Sequence, residues 1–229
     1  MKVYLTGIGW VTSKNAGCFK DLDAFEMTTD LLPDIPLAGL GPAARRMDTY
    51  SRLGMSGILY ALRDAGLAEW TTQRNIGIVA ATEYACLDTD VAYHESAASD
   101  DTSASPALFS YTLPNTFLGE AAIHFGITGP TYVINGGPPL DTIVLEMAID
   151  SISSRETNTM LCGVVNSPAP KVLPDAPPVL LGALFFVVER EPGDKPFYGA
   201  VRFNAEGRIE FDGCEIGDLA ELVKICSKK

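Results

Sequence analysis

With 229 residues, 47% apolar and 20% charged, the chain is long enough for one large domain or two small ones. A chain of this length buries most of the surface that it exposes when unfolded, so folding requires neither disulfides nor a metal. Its net charge of −12 argues against a nucleic-acid grip, which needs Lys and Arg to displace counterions, and against docking on anionic membranes.

The predicted elements run as follows in chain order. Residues 3–11 are apolar with β-branched residues and glycines, a buried strand. Residues 48–66 form the clearest helix, with Asp48 as N-cap, Gly66 as stop, and Leu53, Ile58, Leu59 and Leu62 close to one face. Residues 75–81 are a second strand. The polar stretch 83–106 holds a helix near 88–96. Residues 114–125 begin with Pro114 and continue as a helix. A strand at 131–135, a turn at 136–139 and a helix at 140–152 follow. Residues 159–165 are a strand, and 167–178, with five prolines, a loop. A long apolar strand covers 179–189. A hairpin joins 197–203 to 208–211 through a turn at 204–207, and a helix closes the chain at 216–226. Apolar strands alternating with helices imply a largely parallel sheet covered on both faces.

Four segments, in order, resemble the N-terminal half of β-ketoacyl synthases. They are TGIGWVTSKNAG (6–17), RRMDTYSRLGMSGILYALRDAGL (45–67), SPALFSYTLPNTFLGEAAIHFGITGP (105–130) and LLGALFFVVE (180–189). The third is the specific one. The resemblance covers residues 3–190 and leaves 191–229 as a C-terminal extension with a hairpin and a helix, within one domain spanning 1–229. It implies an α/β fold: a thiolase-like half with a five-stranded, mostly parallel mixed sheet and helices on both faces. The family's fold has two such halves, and this chain has length for one.

The family pattern breaks where its chemistry sits. Synthases carry a nucleophilic cysteine at a helix N-terminus, where the dipole and backbone N–H groups stabilise a thiolate. Counting from Gly129-Pro130, that position falls on Pro138, after Gly136 and Gly137. Proline supplies neither an attacking atom nor an N–H for an oxyanion hole. The family's two catalytic histidines lie in the absent second half. His94 reads as solvent-exposed and His124 as a helix-face residue, neither as a base.

Other features read as follows. Gly7-x-Gly9 lacks the third glycine of a dinucleotide loop and reads as a tight strand-exit turn. Cys86 is imaginable as a displaced nucleophile, but no basic partner is visible, and an idle thiol is the plainer reading. Cys162 reads as core. Five cysteines without paired spacing do not make a disulfide framework or a zinc site, so no metal and no cofactor are expected. The N-terminus lacks a signal-peptide pattern, and no apolar run reaches the roughly 18 residues of a membrane span. The expected setting is the cytoplasm.

The resemblance places Phe109, Tyr111, Leu113, Pro114, Asn115, Phe117 and Leu118, with Gly136, Gly137 and Pro138, around an acyl pocket and dimer interface. Core packing explains the apolar members equally well. The strand 131–135 would be an exposed edge, so pairing through Tyr132 and Val133 is expected. Arg45, Arg46 and Arg52 could form a basic dock for an acidic acyl carrier protein, or be solvated or internally paired. The resemblance therefore implies a non-catalytic, chain-length-factor-like subunit in fatty-acid or polyketide-type biosynthesis. Such a subunit pairs as a homodimer or with a synthase subunit. A small acyl-thioester-processing enzyme and a structural homodimer are the alternatives.

Overall fold

The computed structural model describes residues 1–19, 25–26, 28–30, 34–98, 104–135 and 140–228. In chain order these form strand β1 (Lys2–Val11), β2 (Ala16–Cys18), a short 3-10 helix (Pro42–Arg46) and helix α1 (Thr49–Asp64). Next come β3 (Ile76–Thr82), α2 (Leu87–Ala98), α3 (Pro106–Phe109), α4 (Thr116–Phe125), β4 (Thr131–Asn135) and α5 (Leu140–Ser153). The chain finishes with β5 (Thr159–Asn166), β6 (Gly182–Glu189), β7 (Gly199–Phe203), β8 (Ile209–Phe211), β9 (Cys214–Glu215) and α6 (Leu219–Cys226).

The nine strands form one mixed sheet in the order β4-β3-β5-β6-β1-β7-β8-β9, with β2 paired to β1. This corrects the expected sheet of five mostly parallel strands. Among the described residues only the strand pairs β3–β4 and β3–β5 are parallel. The β5–β6, β1–β6 and β1–β7 pairs are antiparallel, as are the two pairs beyond them. The cause is the connection: residues 167–181 return from β5 to β6 without a crossover helix, which parallel neighbours normally require. The C-terminal hairpin is no separate appendage, since it continues the same sheet beyond β1.

Helices cover both faces, as the alternation of elements implied. Along β6, Ala183, Phe185 and Val187 join the core under α1 and α4, while Leu184, Phe186 and Val188 join the core under α5 and α6. A strand sandwiched in this way is apolar at every position. In β1 the register shifts between Leu5 and Gly7, so Val3, Leu5, Ile8 and Trp10 all point to the α5–α6 side. That bulge adds one residue on the other face.

Gly7 and Gly9 are therefore not a strand-exit turn. Both lie within β1, beneath α1. A Cβ on Gly9 would sit 2.1 Å from Ala61 N, and one on Gly7 2.4 Å from Ala61 O. The glycines let the helix backbone approach the strand. Next to them, the buried Asp64 carboxylate accepts from Ile8 N at 2.9 Å and from Tyr198 Oη at 2.7 Å. It ties α1 to β1 and to the C-terminal segment.

Local signals explain the helix ends. Asp48 caps α1, accepting from Ser51 N at 2.9 Å, and Gly66 stops it at φ +68°. Gly126 ends α4 in the left-handed conformation. Asn204 closes the hairpin turn by accepting from Glu206 N and Arg208 N. Among the described residues, no helix is long and apolar enough to cross a membrane.

Candidate functional site

The parallel strands β4, β3 and β5 end on the same side of the sheet. Open α/β sheets hold ligands at such carboxyl ends. The sequence-predicted nucleophile segment begins there, directly after Asn135. Gly136, Gly137 and Pro138 themselves lie outside the described residues.

At the ends of β3 and β5 is a cavity of about 380 Å³. Asp48, Tyr50, Cys86, Thr89, Ser167 and Lys171 are among its walls. The β3 exit sets its shape. Ala85 has φ +49°, unusual for a residue with a Cβ. Thr82 Oγ1 accepts from Ala85 N at 3.0 Å, and Ser167 Oγ donates to Ala85 O at 2.9 Å. These bonds hold the next residue, Cys86, turned inward.

The electrostatics disfavour a thiolate in this cavity. Cys86 Sγ lies 3.9 Å from Asp90 Oδ2. Burial, then the Asp90 and Asp48 carboxylates, push the Cys86 thiol up to about 12. Burial and Asp48 also raise Asp90 above the usual carboxylate range. Asp48 is already engaged, since Thr89 Oγ1 donates to its Oδ2 at 2.7 Å. Tyr50 is raised as well, chiefly by burial, and donates to Pro114 O at 3.2 Å. Neither histidine lines the cavity. His94 is exposed on α2, and His124 on α4 has its Nε2 3.1 Å from Gly39 O. A thiol without a base, surrounded by carboxylates, is a poor nucleophile.

The expected acyl-pocket residues divide. Phe117 and Leu118 are fully buried core. The Phe117 ring meets Tyr50 edge-on at 5.2 Å and fills the space that a Cβ on Gly54 would need. Phe109 and Leu113 are instead 61% and 64% exposed. Tyr111 is half-buried, Pro114 partly so, and Asn115 caps the start of α4 in the open. Cys162 is core, as its mid-strand place implied. Tyr132 and Val133 lie on β4, the last strand of the sheet, which among the described residues pairs only with β3. Arg45 and Arg46 are exposed and make no ion pair among the described residues, while Arg52 donates to Arg45 O at 2.9 Å.

The sequence reading missed the cavity. Its walls come from segments far apart in the chain, and neither the Ala85 turn nor the inward loop at 167–171 has a local motif. Asp48 was recognisable only as a cap. Among the described residues, no three His, Cys, Asp or Glu side chains gather as a metal-holding group.

Comparison with known proteins gives the family. Residues 16–172 match the model of the β-ketoacyl synthase N-terminal domain. No curated protein matches the chain. Solved structures share its fold at low identity. The ishigamide ketosynthase/chain length factor aligns with a TM-score of 0.70 and 18% identity over 87% of this chain and 62% of that one. A type II PKS acyl-carrier protein in complex with its ketosynthase aligns at 0.68 and 16%, over 87% and 67%. A ketosynthase in complex with its chain length factor from Xenorhabdus doucetiae aligns at 0.64 and 17%, over 84% and 81%. The chain thus spans less than two thirds of the first of these, and is nearly equal in length to the matched chain of the third. With more than half of its residues matched in order, and the sheet those residues build, this chain belongs to the β-ketoacyl synthase N-terminal domain family.

Proposed function

We propose that this chain is a non-condensing, chain-length-factor-like subunit that pairs with a β-ketoacyl synthase in fatty-acid or polyketide-type biosynthesis. The observation that carries this reading is Pro138, inside the family-matched segment, at the position of the nucleophile. A ring nitrogen without a proton supplies neither thiolate nor oxyanion donor. The near-equal length of the chain in the ketosynthase–chain length factor complex supports a half-length partner subunit.

In this reading residues 1–229 act as one unit, and Tyr132 and Val133 on the open β4 edge pair with the synthase. Phe109, Leu113 and Tyr111 contribute an exposed contact surface, with Pro114 and Asn115 at its border. The free Arg45 and Arg46 suit an acidic acyl carrier protein. The second reading, a small thioester-processing enzyme, is disfavoured by the Cys86 thiol near 12 and by the absence of both histidines from the cavity walls.

Co-expression with a β-ketoacyl synthase subunit tests the proposal. A stable one-to-one complex is expected, and its product chain length should change when Leu113 or Phe109 is altered. A chain that binds no synthase subunit, yet hydrolyses acyl-thioesters in a Cys86-dependent manner, would overturn it.

A further inference from the structure

The proline loop that walls part of the Cys86 cavity is fastened at both ends to one short turn. Near its start, Asn166 Oδ1 accepts from Glu83 N at 3.0 Å, and Ser167 Oγ donates to Ala85 O at 2.9 Å. Near its end, Tyr84 Oη donates to Pro177 O at 2.9 Å. All three bonds go to residues 83–85, the turn that carries Cys86 into the cavity. The loop is a strap buckled twice to the same place.

Between the buckles the strap stands off the molecule. Pro170 is buried, while Lys171, Val172, Leu173, Pro174 and Asp175 are all exposed. Leu173 N donates to Pro170 O and Ala176 N to Leu173 O, so the tip is bonded to itself. Among the described residues, no hydrogen bond or ion pair joins 171–175 to the rest of the chain. A hollow of about 490 Å³ lies between Tyr84 and strap residues 172–177. Five prolines within 167–178 fix φ at their positions, so the tip moves as a stiff unit. A segment this exposed, with few buried apolar contacts, opens and closes at low cost in free energy.

Charge gives that motion a direction. Pro168, Ala169 and Lys171 of the strap share the cavity walls with Asp48 and Asp88, and Asp90 lies against Cys86. Among the described residues, Lys171 is the one Lys or Arg in those walls, and neither it nor the three aspartates makes an ion pair. Asp48 already accepts from Ser51 N and Thr89 Oγ1. Asp88, exposed on the first turn of α2, accepts no hydrogen bond among the described residues. We propose that residues 168–177 are a lid on the Cys86 cavity, latched when the Lys171 ammonium pairs with the Asp88 carboxylate. In this structure the latch is undone. Closing it plugs the mouth with the chain's own cation, so the cavity admits a ligand only from the open state. An exposed pair of this kind shifts the balance a few-fold and weakens with salt. The lid does not depend on pairing with a synthase subunit.

Two measurements on the full chain test this. Carbodiimide joins an ammonium to a carboxylate in contact with it, with loss of water. Peptide mass spectrometry should find a Lys171–Asp88 amide at about 50 mM salt, its yield falling at least ~2-fold at about 0.5 M. The Lys195–Glu189 pair, 3.4 Å apart with its carboxylate mostly buried, is the internal reference. Next, a nitroxide on Val172→Cys reports the motion of the tip. Cys214→Ser removes the one exposed thiol among the described residues, the other four cysteines being buried. The immobilised part of the spectrum at low salt should shrink at least ~2-fold with Lys171→Gln or Lys171→Glu. It should return in Asp88→Lys/Lys171→Glu, which restores the pair with its signs exchanged, circular dichroism confirming that each variant is folded. Absence of the amide at low salt, a spectrum indifferent to salt and to Lys171→Glu, or a double variant as mobile as Lys171→Glu overturns the inference.

Discussion

At the residue scale, three positions decide what this chain can do. Gly9 has no room for a side chain, since a Cβ would lie 2.1 Å from the α1 backbone. Gly9→Ala should cost about 1–3 kcal/mol or more, read as a lowered melting temperature, because the strand cannot move without the whole sheet. Cys86 should resist alkylation at pH 8, its thiol being near 12, while the exposed Cys214 labels. Mass spectrometry of iodoacetamide-treated protein checks this, and fast Cys86 labelling would contradict it. Asp90 titrates above its ordinary range because of burial and Asp48. Its folded form therefore binds the proton more tightly than the unfolded chain, and stability falls as pH rises from about 4 through the folded value. Asp90→Asn should raise the melting temperature at pH 7, and the gain should vanish near pH 3. The helix-face place of His124 and the exposure of His94 were legible in the sequence. The Cys86 environment was not, because the carboxylates that suppress it reach it only through α1 and α2 packing.

At the element scale, the sequence identified most strands and helices but not how they join. Hydrophobic runs mark where a strand lies, yet they do not state its direction. The antiparallel return of β6 depends on the proline loop, which reads only as a loop. The C-terminal hairpin likewise shows as a hairpin, while its docking on β1 requires the Val3–Val201 register. That docking has a consequence. β7, β8 and α6 bring Val201, Phe211, Leu219, Leu222 and Val223 onto the same core as Trp10 and Phe186. A chain ending after Arg190 would uncover that face and should be insoluble or bind a hydrophobic dye. A soluble truncated chain with unchanged near-ultraviolet dichroism would show that the core does not depend on the segment.

At the scale of the whole molecule, the described residues of this β-ketoacyl synthase N-terminal-domain chain pack two cores of their own, one on each face of the sheet. Among the described residues helices pack on both sheet faces, and β4 is the last strand on its side of the sheet. The proposed loss of the nucleophile rests on one residue, Pro138, placed by a count from Gly129-Pro130 in the sequence. The cavity around Cys86 emerges only once distant segments are brought together.

The most direct test is decarboxylative condensation of an acyl-thioester with a malonyl-thioester, assayed with the purified chain alone and then with a synthase subunit added. A non-condensing partner gives no product above the protein-free background by itself, even as Pro138→Cys, and alters product length only when the synthase is present. Turnover by the chain alone, unaffected by Pro138→Ala, would contradict it.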